Sequence, residues 1–92
     1  MNSFGEYLRN KREQLGLPLR KVAAELDIDT SILSKIERSE RMATKEMLPT
    51  LAKTLEVKHK EIQIEFIQST VLSELGDLEF LADGLKNVLN KL

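Results

Sequence analysis

The sequence contains no cysteine, no tryptophan and a single histidine, His59. Without cysteine the chain can form no disulfide bond and no thiolate site, and one histidine cannot build a zinc or haem site by itself. The apolar runs are only two or three residues long, far short of the roughly 20 residues that a membrane-spanning helix needs. We therefore expect a chain that folds by packing alone, with no metal, no cofactor and no membrane span.

Other missing features narrow the classes of function. Aromatic residues make up 4% of the chain, too few for the stacking platforms that bind single-stranded nucleic acids. There is no glycine-rich phosphate loop, no paired nucleophile and base, and no ligand cluster, so we expect no enzymatic activity. The opening residues MNSFGEYLRN lack the charged and then apolar order of a secretory signal, which indicates a cytoplasmic protein.

Charge is divided unevenly along the 92 residues, although the net charge is only −1. Residues 1–60 carry 12 Lys and Arg against 9 Asp and Glu, a net charge of +3. Residues 61–92 carry 2 against 6, a net charge of −4. Either this is scatter in a short chain, or the first part faces an anion and the second faces another protein.

Apolar residues recur at helical spacing along most of the chain, and strand-like alternation is almost absent. Ser3 predicts the N-cap of a first helix, with Glu6 at the capping-box position and Gly16 at its end. Pro18 suits the first turn of a second helix that runs through Leu26. The spacing therefore predicts two short helices before residue 27.

The next two helices are predicted from cap residues and from a proline. Asp29, whose carboxylate can cap, begins a third helix that runs to about Ser39. Thr44 offers the following cap. Pro49 is unfavourable inside a helix, so the fourth helix must kink there or start late, near residues 46–47.

The last third of the chain continues the helical pattern. The run IQIEF after residue 60 alternates like a short strand, but apolar residues then recur at steps of three and four, which favours a fifth helix. Gly76 and Asp77 mark its end and the cap of the next helix. A final helix is predicted from an apolar stripe at gaps of 3, 4, 3 and 4 residues: Leu78, Leu81, Leu85, Val88 and Leu92.

The most informative stretch is residues 17–41, LPLRKVAAELDIDTSILSKIERSER. Two short helices meet around a tight turn, where small Ala23 permits a close crossing and Asp27 tolerates a positive φ better than a branched residue. This motif resembles the helix-turn-helix of the Cro and phage-repressor family, also called the xenobiotic-response-element (XRE) type, over roughly residues 4–60. The resemblance implies an all-α, five-helix DNA-binding core over residues 1–60, followed by a helical extension over residues 61–92.

In that family the second helix of the motif lies in the major groove and presents its N-terminal side chains to base edges. The resemblance therefore implies double-stranded DNA as partner and a recognition helix from about Asp29 to Ser39. The implied base contacts are Thr30, Ser31, Ser34 and Lys35. The implied phosphate contacts, which position the protein without reading sequence, are Arg20, Arg38, Arg41 and Lys45. An ordinary helical bundle with a solvated hydroxyl-rich face is the alternative interpretation.

Some positions depart from the family pattern or admit two interpretations. The family usually has glutamine where Leu19 stands, and glycine where Asp27 and Ser39 stand; Leu19 either touches a thymine methyl or packs. Arg12 and Glu37 match a pair that joins the first helix to the end of the third in this family. We interpret that pair as structural, with a phosphate contact by Arg12 as the alternative.

Residues 61–92 exceed what the five-helix core needs. Either they fold back as extra core, or they pair with the same helices of a second copy, which we favour because the stripe is regular to the last residue. The predicted dimerisation residues are Leu78, Leu81, Leu85, Val88 and Leu92. Two recognition helices would then meet half-sites about one helical turn apart.

The sequence therefore predicts a sequence-specific transcriptional regulator that binds a palindromic operator as a homodimer. Phage repressors, restriction-modification controller proteins and antitoxins are all permitted by the resemblance. The alternative is a protein-interaction module, in which the helix-turn-helix fold and the C-terminal helices bind a toxin or another regulator.

Overall fold

A computed structural model describes residues 3–92 of the chain. Six helices follow one another: α1 Phe4–Gln14, α2 Leu19–Glu25, α3 Thr30–Glu37, α4 Leu48–Thr54, α5 His59–Leu75 and α6 Leu81–Lys91, with a 3₁₀ turn, Lys45–Met47, before α4. No β-strand occurs in this part of the chain, so the all-α prediction is confirmed. Over residues 3–92 none of the helices combines the length and the apolar character that crossing a bilayer requires.

Some of the predicted helix starts are confirmed and three are corrected. The Ser3 side chain accepts a hydrogen bond from the backbone N–H of Glu6 and so caps α1. Pro49 lies in the first turn of α4, which begins late, as its missing N–H requires. Asp29 is the N-cap of α3, but its side chain makes no capping hydrogen bond. The prediction that the Asp29 carboxylate caps α3 was therefore wrong, and that group is exposed to solvent.

The other two corrections concern Thr44 and the start of the last helix. Thr44 lies at the N-cap position of the 3₁₀ turn, but its side chain makes no capping hydrogen bond. The last helix was expected to begin after a cap at Asp77, but α6 begins at Leu81 with Phe80 as its N-cap, so Leu78 lies outside it.

The first four α-helices all end in the same backbone motif. In each, the residue after the C-cap has a positive φ: 67° at Gly16, 55° at Asp27, 63° at Ser39 and 55° at Glu56. The following N–H donates to the carbonyl five residues back, in the bonds Leu17 to Arg12 (3.1 Å), Ile28 to Ala23 (3.1 Å), Glu40 to Lys35 (2.8 Å) and Val57 to Ala52 (3.0 Å). This is the Schellman motif, which glycine favours. The chain builds it three times without glycine, and the positive φ predicted for Asp27 is confirmed.

The apolar core lies among α1 to α5. Its fully buried large side chains are Leu8, Val22, Leu33, Leu51 and Ile62. Leu19 is half-buried and packs against this core, as one of the two interpretations of that position predicted. Within the described helix α6, Leu81–Lys91, no side chain is buried, so α6 does not fold back as extra core.

Helix α5 connects the core with the C-terminal part of the chain. Ile62 is completely buried, and the Phe66 ring meets the Phe4 ring edge-on at 5.3 Å. The Tyr7 hydroxyl donates to the Glu61 carboxylate, and burial together with this bond raises the pKa of Tyr7 above its ordinary value. The predicted boundary after residue 60 falls in the first turn of α5, and the division into two segments stays a prediction.

A bidentate ion pair holds α1 and α3 together. Arg12 Nε donates to Glu37 Oε2 at 2.8 Å, and its Nη2 donates to Oε1 at 3.0 Å. A third nitrogen of the same guanidinium, Nη1, donates to the Leu17 carbonyl at 2.9 Å. The bond to Glu37 raises the pKa of Arg12. Both side chains are largely buried, at 14% and 6% exposure, which fits the structural interpretation of Arg12 and not a phosphate contact.

Gly5 lets α1 approach the end of α3 closely. A Cβ built at Gly5 would lie 2.2 Å from the Ile36 carbonyl oxygen and 2.7 Å from that of Glu37. Beside it, the Ser39 hydroxyl donates to the Ser3 hydroxyl oxygen at 2.7 Å. Backbone contact and ion pair together fix the C-terminal half of α3 to α1.

We expect Glu56→Gly to stabilise the protein by up to about 1 kcal/mol. A left-handed backbone costs a residue other than glycine about 1–2 kcal/mol, and glycine would remove this cost. Part of the gain is lost, because glycine makes the unfolded chain more flexible. Gly16→Ala should destabilise the protein by about 1 kcal/mol, because alanine would have to adopt the left-handed backbone of this position. No atom lies within 4 Å of a Cβ at Gly16, so no steric clash adds to this cost. Urea unfolding measures both changes, and equal signs for the two variants would contradict this account.

Arg12→Leu should destabilise the protein by about 3–5 kcal/mol, because Glu37 would remain buried without its partner. The double variant Arg12→Leu/Glu37→Leu should recover much of that loss, since neither charge is then buried. As a control, Arg9→Leu removes the exposed pair with Glu13, at 3.5 Å, and should change stability by less than about 1 kcal/mol. A double variant less stable than Arg12→Leu would refute the assignment.

Candidate nucleic-acid interface

Helices α2 and α3 form the two arms of a helix-turn-helix. Ala23 is 1% exposed, in the core shared by the two helices, and a larger side chain there would push the helices apart. The turn closes through the N–H of Asp27, which donates to the Ala24 carbonyl at 3.1 Å, and through the Schellman bond of Ile28. The turn geometry predicted from residues 17–41 is thus present.

Helix α3 has a buried face and an exposed face. Leu33, Ile36 and Glu37 are buried. Successive residues of an α-helix are rotated by about 100° around its axis. The four predicted base-reading residues therefore fall within an arc of about 140°, away from the buried side chains. Thr30, Ser31 and Lys35 are exposed and Ser34 is half-buried. The structure therefore brings all four together on one accessible face.

The four predicted phosphate-binding residues fall into two groups. Arg20, Arg41 and Lys45 are exposed, and in the described part of the chain no carboxylate lies within ion-pair distance of them. Arg38 is different, because its Nη1 lies 3.2 Å from Glu40 Oε2 and its Nε donates to the Ser34 carbonyl at 3.3 Å. Arg38 is therefore already engaged at the end of its own helix.

Two acidic residues near this face were not identified as part of the site from sequence. Asp29 carries an exposed carboxylate at the start of α3, but its position before a helix was interpreted as a cap. Glu40 follows α3 by three residues and neutralises Arg38. Only the short spacing of Arg38 and Glu40 could have indicated that pair, and it does not reveal which way either side chain turns.

Known proteins resemble this chain both in sequence and in structure. A sequence profile of the helix-turn-helix family HTH_3 matches residues 8–62, a span that includes α2, α3 and α4. The crystal structure of the clp gene regulator ClgR from C. glutamicum is similar, with a TM-score of 0.60 and 27% sequence identity over 72% of this chain and 86% of that chain. No curated protein sequence matches the chain significantly. The chain belongs to the helix-turn-helix family, of the Cro and phage-repressor (XRE) type that residues 17–41 resemble.

Proposed function

We propose that the protein is a sequence-specific transcriptional regulator that binds a palindromic operator on double-stranded DNA as a homodimer. The observation that carries the DNA-binding part is the exposed face of α3, with three hydroxyls and a lysine, on a helix whose other face is locked into the core. The family match and the likeness to a gene regulator support a DNA-binding regulator. We propose no catalytic step for it.

In this proposal the N-terminal half of α3 enters the major groove. Hydroxyl groups both donate and accept, so Thr30, Ser31 and Ser34 can meet several bases, whereas Lys35 suits the O6 and N7 acceptors of guanine. Asp29, with no capping bond of its own, can accept from the amino group of cytosine. The negative charge of Asp29 also repels nearby phosphates. This repulsion would lower the affinity for DNA that offers no cytosine amino group to Asp29.

Phosphate binding falls mainly to the exposed cations without a carboxylate partner, Arg20, Arg41 and Lys45. Each phosphate contact releases counterions and steepens the dependence of affinity on salt. Arg38 must first give up the Glu40 carboxylate, so we assign it the smallest share. The net charge of +3 over residues 1–60 attracts DNA to this part of the chain.

The homodimer part of the proposal is supported by α6. The helix has 11 residues and no buried side chain, and an isolated helix of that length is marginal in water. The apolar side chains Leu81, Leu85 and Val88 share one face of α6; Val88 is 52% exposed, and Leu92, directly after the helix, is 94% exposed. With Leu78, Leu81 and Leu85 they form the surface that we assign to a second copy.

The same exposed apolar and acidic surface also favours a second candidate function, a protein-interaction module. In that case the C-terminal helices would bind a different protein and α3 would show no salt-sensitive affinity for DNA. Selection of bound duplexes from a random pool, at two salt concentrations, separates the two functions. Enrichment of a palindrome with steep salt dependence supports the regulator, and no enrichment from a folded dimer supports the module.

We expect phosphate-binding and base-reading substitutions to differ in kind. Arg41→Ala should weaken binding to all sequences and lower the salt slope by about one, whereas Arg38→Ala should lower it by less because Glu40 already neutralises Arg38. Lys35→Ala should relax preference at one base pair, a change of about 1–3 kcal/mol in discrimination. Salt titrations on the selected operator and on single-base variants measure this, and uniform effects from all three would contradict the assignment.

For the tail, Leu85→Asp should give a folded monomer that binds the operator poorly, because a carboxylate replaces an apolar contact. Asn87→Asp introduces the same charge on the polar side of α6 and should leave a dimer. Sedimentation and far-UV circular dichroism of the two variants provide the measurement. If the Leu85→Asp variant remained dimeric, the dimer interface would have to lie elsewhere on the chain.

A further inference from the structure

Glu40 is fixed at the C-terminal end of α3 by the backbone on which it stands. Ser39, directly before it, has a φ of 63°, and the N–H of Glu40 donates to the Lys35 carbonyl at 2.8 Å, the shortest of the four Schellman bonds. The Ser39 hydroxyl donates to the Ser3 hydroxyl oxygen on the α1 side at 2.7 Å. The Cα of Glu40 therefore keeps its place beside the last turn of α3, and only its side chain is free to move.

From this place the carboxylate of Glu40 meets the guanidinium of Arg38, with 3.2 Å between Oε2 and Nη1. The Nε of Arg38 donates to the Ser34 carbonyl at 3.3 Å. Residues four apart lie on the same side of a helix, so the guanidinium lies along the side of α3 that carries Ser34, one of the four proposed base-reading residues. Glu40 thus brings a negative charge to the edge of the surface that we assign to DNA.

The fold does not depend on the pair of Arg38 and Glu40. Both side chains are 53% exposed, and solvent screens an exposed ion pair so strongly that it adds little to stability. The turn after α3 is closed by other bonds, those of the Glu40 N–H and of the Ser39 hydroxyl. The guanidinium of Arg38 can therefore leave Glu40 without loss of structure.

Among the proposed phosphate contacts, only Arg38 has an ion-pair partner. In the part of the chain that the structure describes, no carboxylate lies within ion-pair distance of Arg20, Arg41 or Lys45. A cation gains affinity for DNA because it replaces the counterions of a phosphate, and a cation that a carboxylate already neutralises has less to gain. The carboxylate of Glu40 is tethered two residues from Arg38, so it competes with a phosphate at a high effective concentration.

We propose that Glu40 limits the affinity of the protein for DNA, because its carboxylate competes with a backbone phosphate for the guanidinium of Arg38. The inference rests on the proposed function, since it names a residue that sets the strength of the same DNA-binding surface. Arg38 is then a phosphate contact in reserve, which binds DNA only when a phosphate displaces Glu40. Phosphate contacts carry no sequence information, so the limit applies equally to the operator and to any other duplex.

The test is Glu40→Gln, which keeps the shape of the side chain and removes its charge. For each DNA-bound chain the affinity should rise about 5–10-fold at about 0.1 M salt, equally for the operator and for an unrelated duplex, and the salt slope should steepen by about one. Fluorescence anisotropy titrations at several salt concentrations measure both quantities. The far-UV circular dichroism should stay unchanged, since the pair is exposed. An affinity and a salt slope equal to those of wild type would overturn the proposal.

Glu56→Gln is the matched control. Glu56 is also an exposed glutamate in the turn that ends a helix, and its replacement changes the net charge by the same amount. It follows α4, however, and in the described part of the chain no Lys or Arg lies within ion-pair distance of it. Its affinity and salt slope should stay close to those of wild type. A gain as large as that of Glu40→Gln would mean that net charge alone sets the affinity, and the proposal would fail.

A double variant separates competition for Arg38 from direct repulsion between Glu40 and DNA. If the two groups compete, Arg38→Ala should lower the salt slope only slightly in wild type, but by about one per chain in the Glu40→Gln background. The affinity gain of Glu40→Gln should then largely vanish in Arg38→Ala/Glu40→Gln, because effects on interacting groups are not additive. If Glu40 only repels phosphates, the gain persists undiminished in the double variant, and that result would overturn the proposal.

The outcomes distinguish this inference from the proposed function. If wild type selects an operator and Glu40→Gln binds it no more tightly, the Glu40 proposal fails and the regulator stands. If wild type selects no duplex, but Glu40→Gln binds all duplexes with a steep salt dependence that Arg38→Ala removes, the Glu40 proposal stands and the sequence-specific function fails. If neither protein binds any duplex at low salt, both fail.

Discussion

The ion pair between Arg12 and Glu37 is the constraint on which the placement of α3 depends. An isolated helix of eight residues is marginal in water, so both the stability and the direction of α3 must come from the elements that it touches. The guanidinium of Arg12 joins α3 to α1 and, through the Leu17 carbonyl, to the segment before α2. The absence of a Cβ at Gly5 allows the backbones to come close enough for this geometry. One buried cation thus orders both arms of the helix-turn-helix.

The turns between the helices also depend on contacts with the core. Four successive helices end by the Schellman motif, and only Gly16 among the four positive-φ positions is glycine. The residues that follow Gly16, Asp27 and Glu56 are apolar and pack against the core, so each turn is held from inside as well as by its own hydrogen bonds. Packing therefore stabilises a backbone that Asp27, Ser39 and Glu56 would not choose alone.

Local signals explain which parts of this structure could be predicted from the sequence. The Ser3 cap, the late start of α4 at Pro49 and the turn at Asp27 follow from the stereochemistry of a few neighbouring residues, and the prediction succeeded there. The Asp29 cap and the Arg38–Glu40 pair depend on side-chain torsions that spacing does not specify. For α5, periodicity identified the apolar residues Ile64, Ile67, Val71 and Leu75 but not the direction they face, because Ile62 and Phe66 recur at the same spacing. Only packing against α1 and α4 decides which of two apolar faces is buried.

The two faces of α5 also bear on how the proposed dimer would read DNA. Helix α5 has 17 residues, and it rises about 20 Å between Ile62 in the core and Leu75 at its end. Helix α5 is unbroken from the core to Leu75, and only residues 76–80 separate it from α6, so the separation of two α3 helices would depend on how α5 and α6 pack. Half-sites must lie about 34–36 Å apart for one helical turn. The spacing of the operator would then depend on the length of α5, because inserting one residue into α5 rotates the part of the chain that follows by about 100° relative to the core.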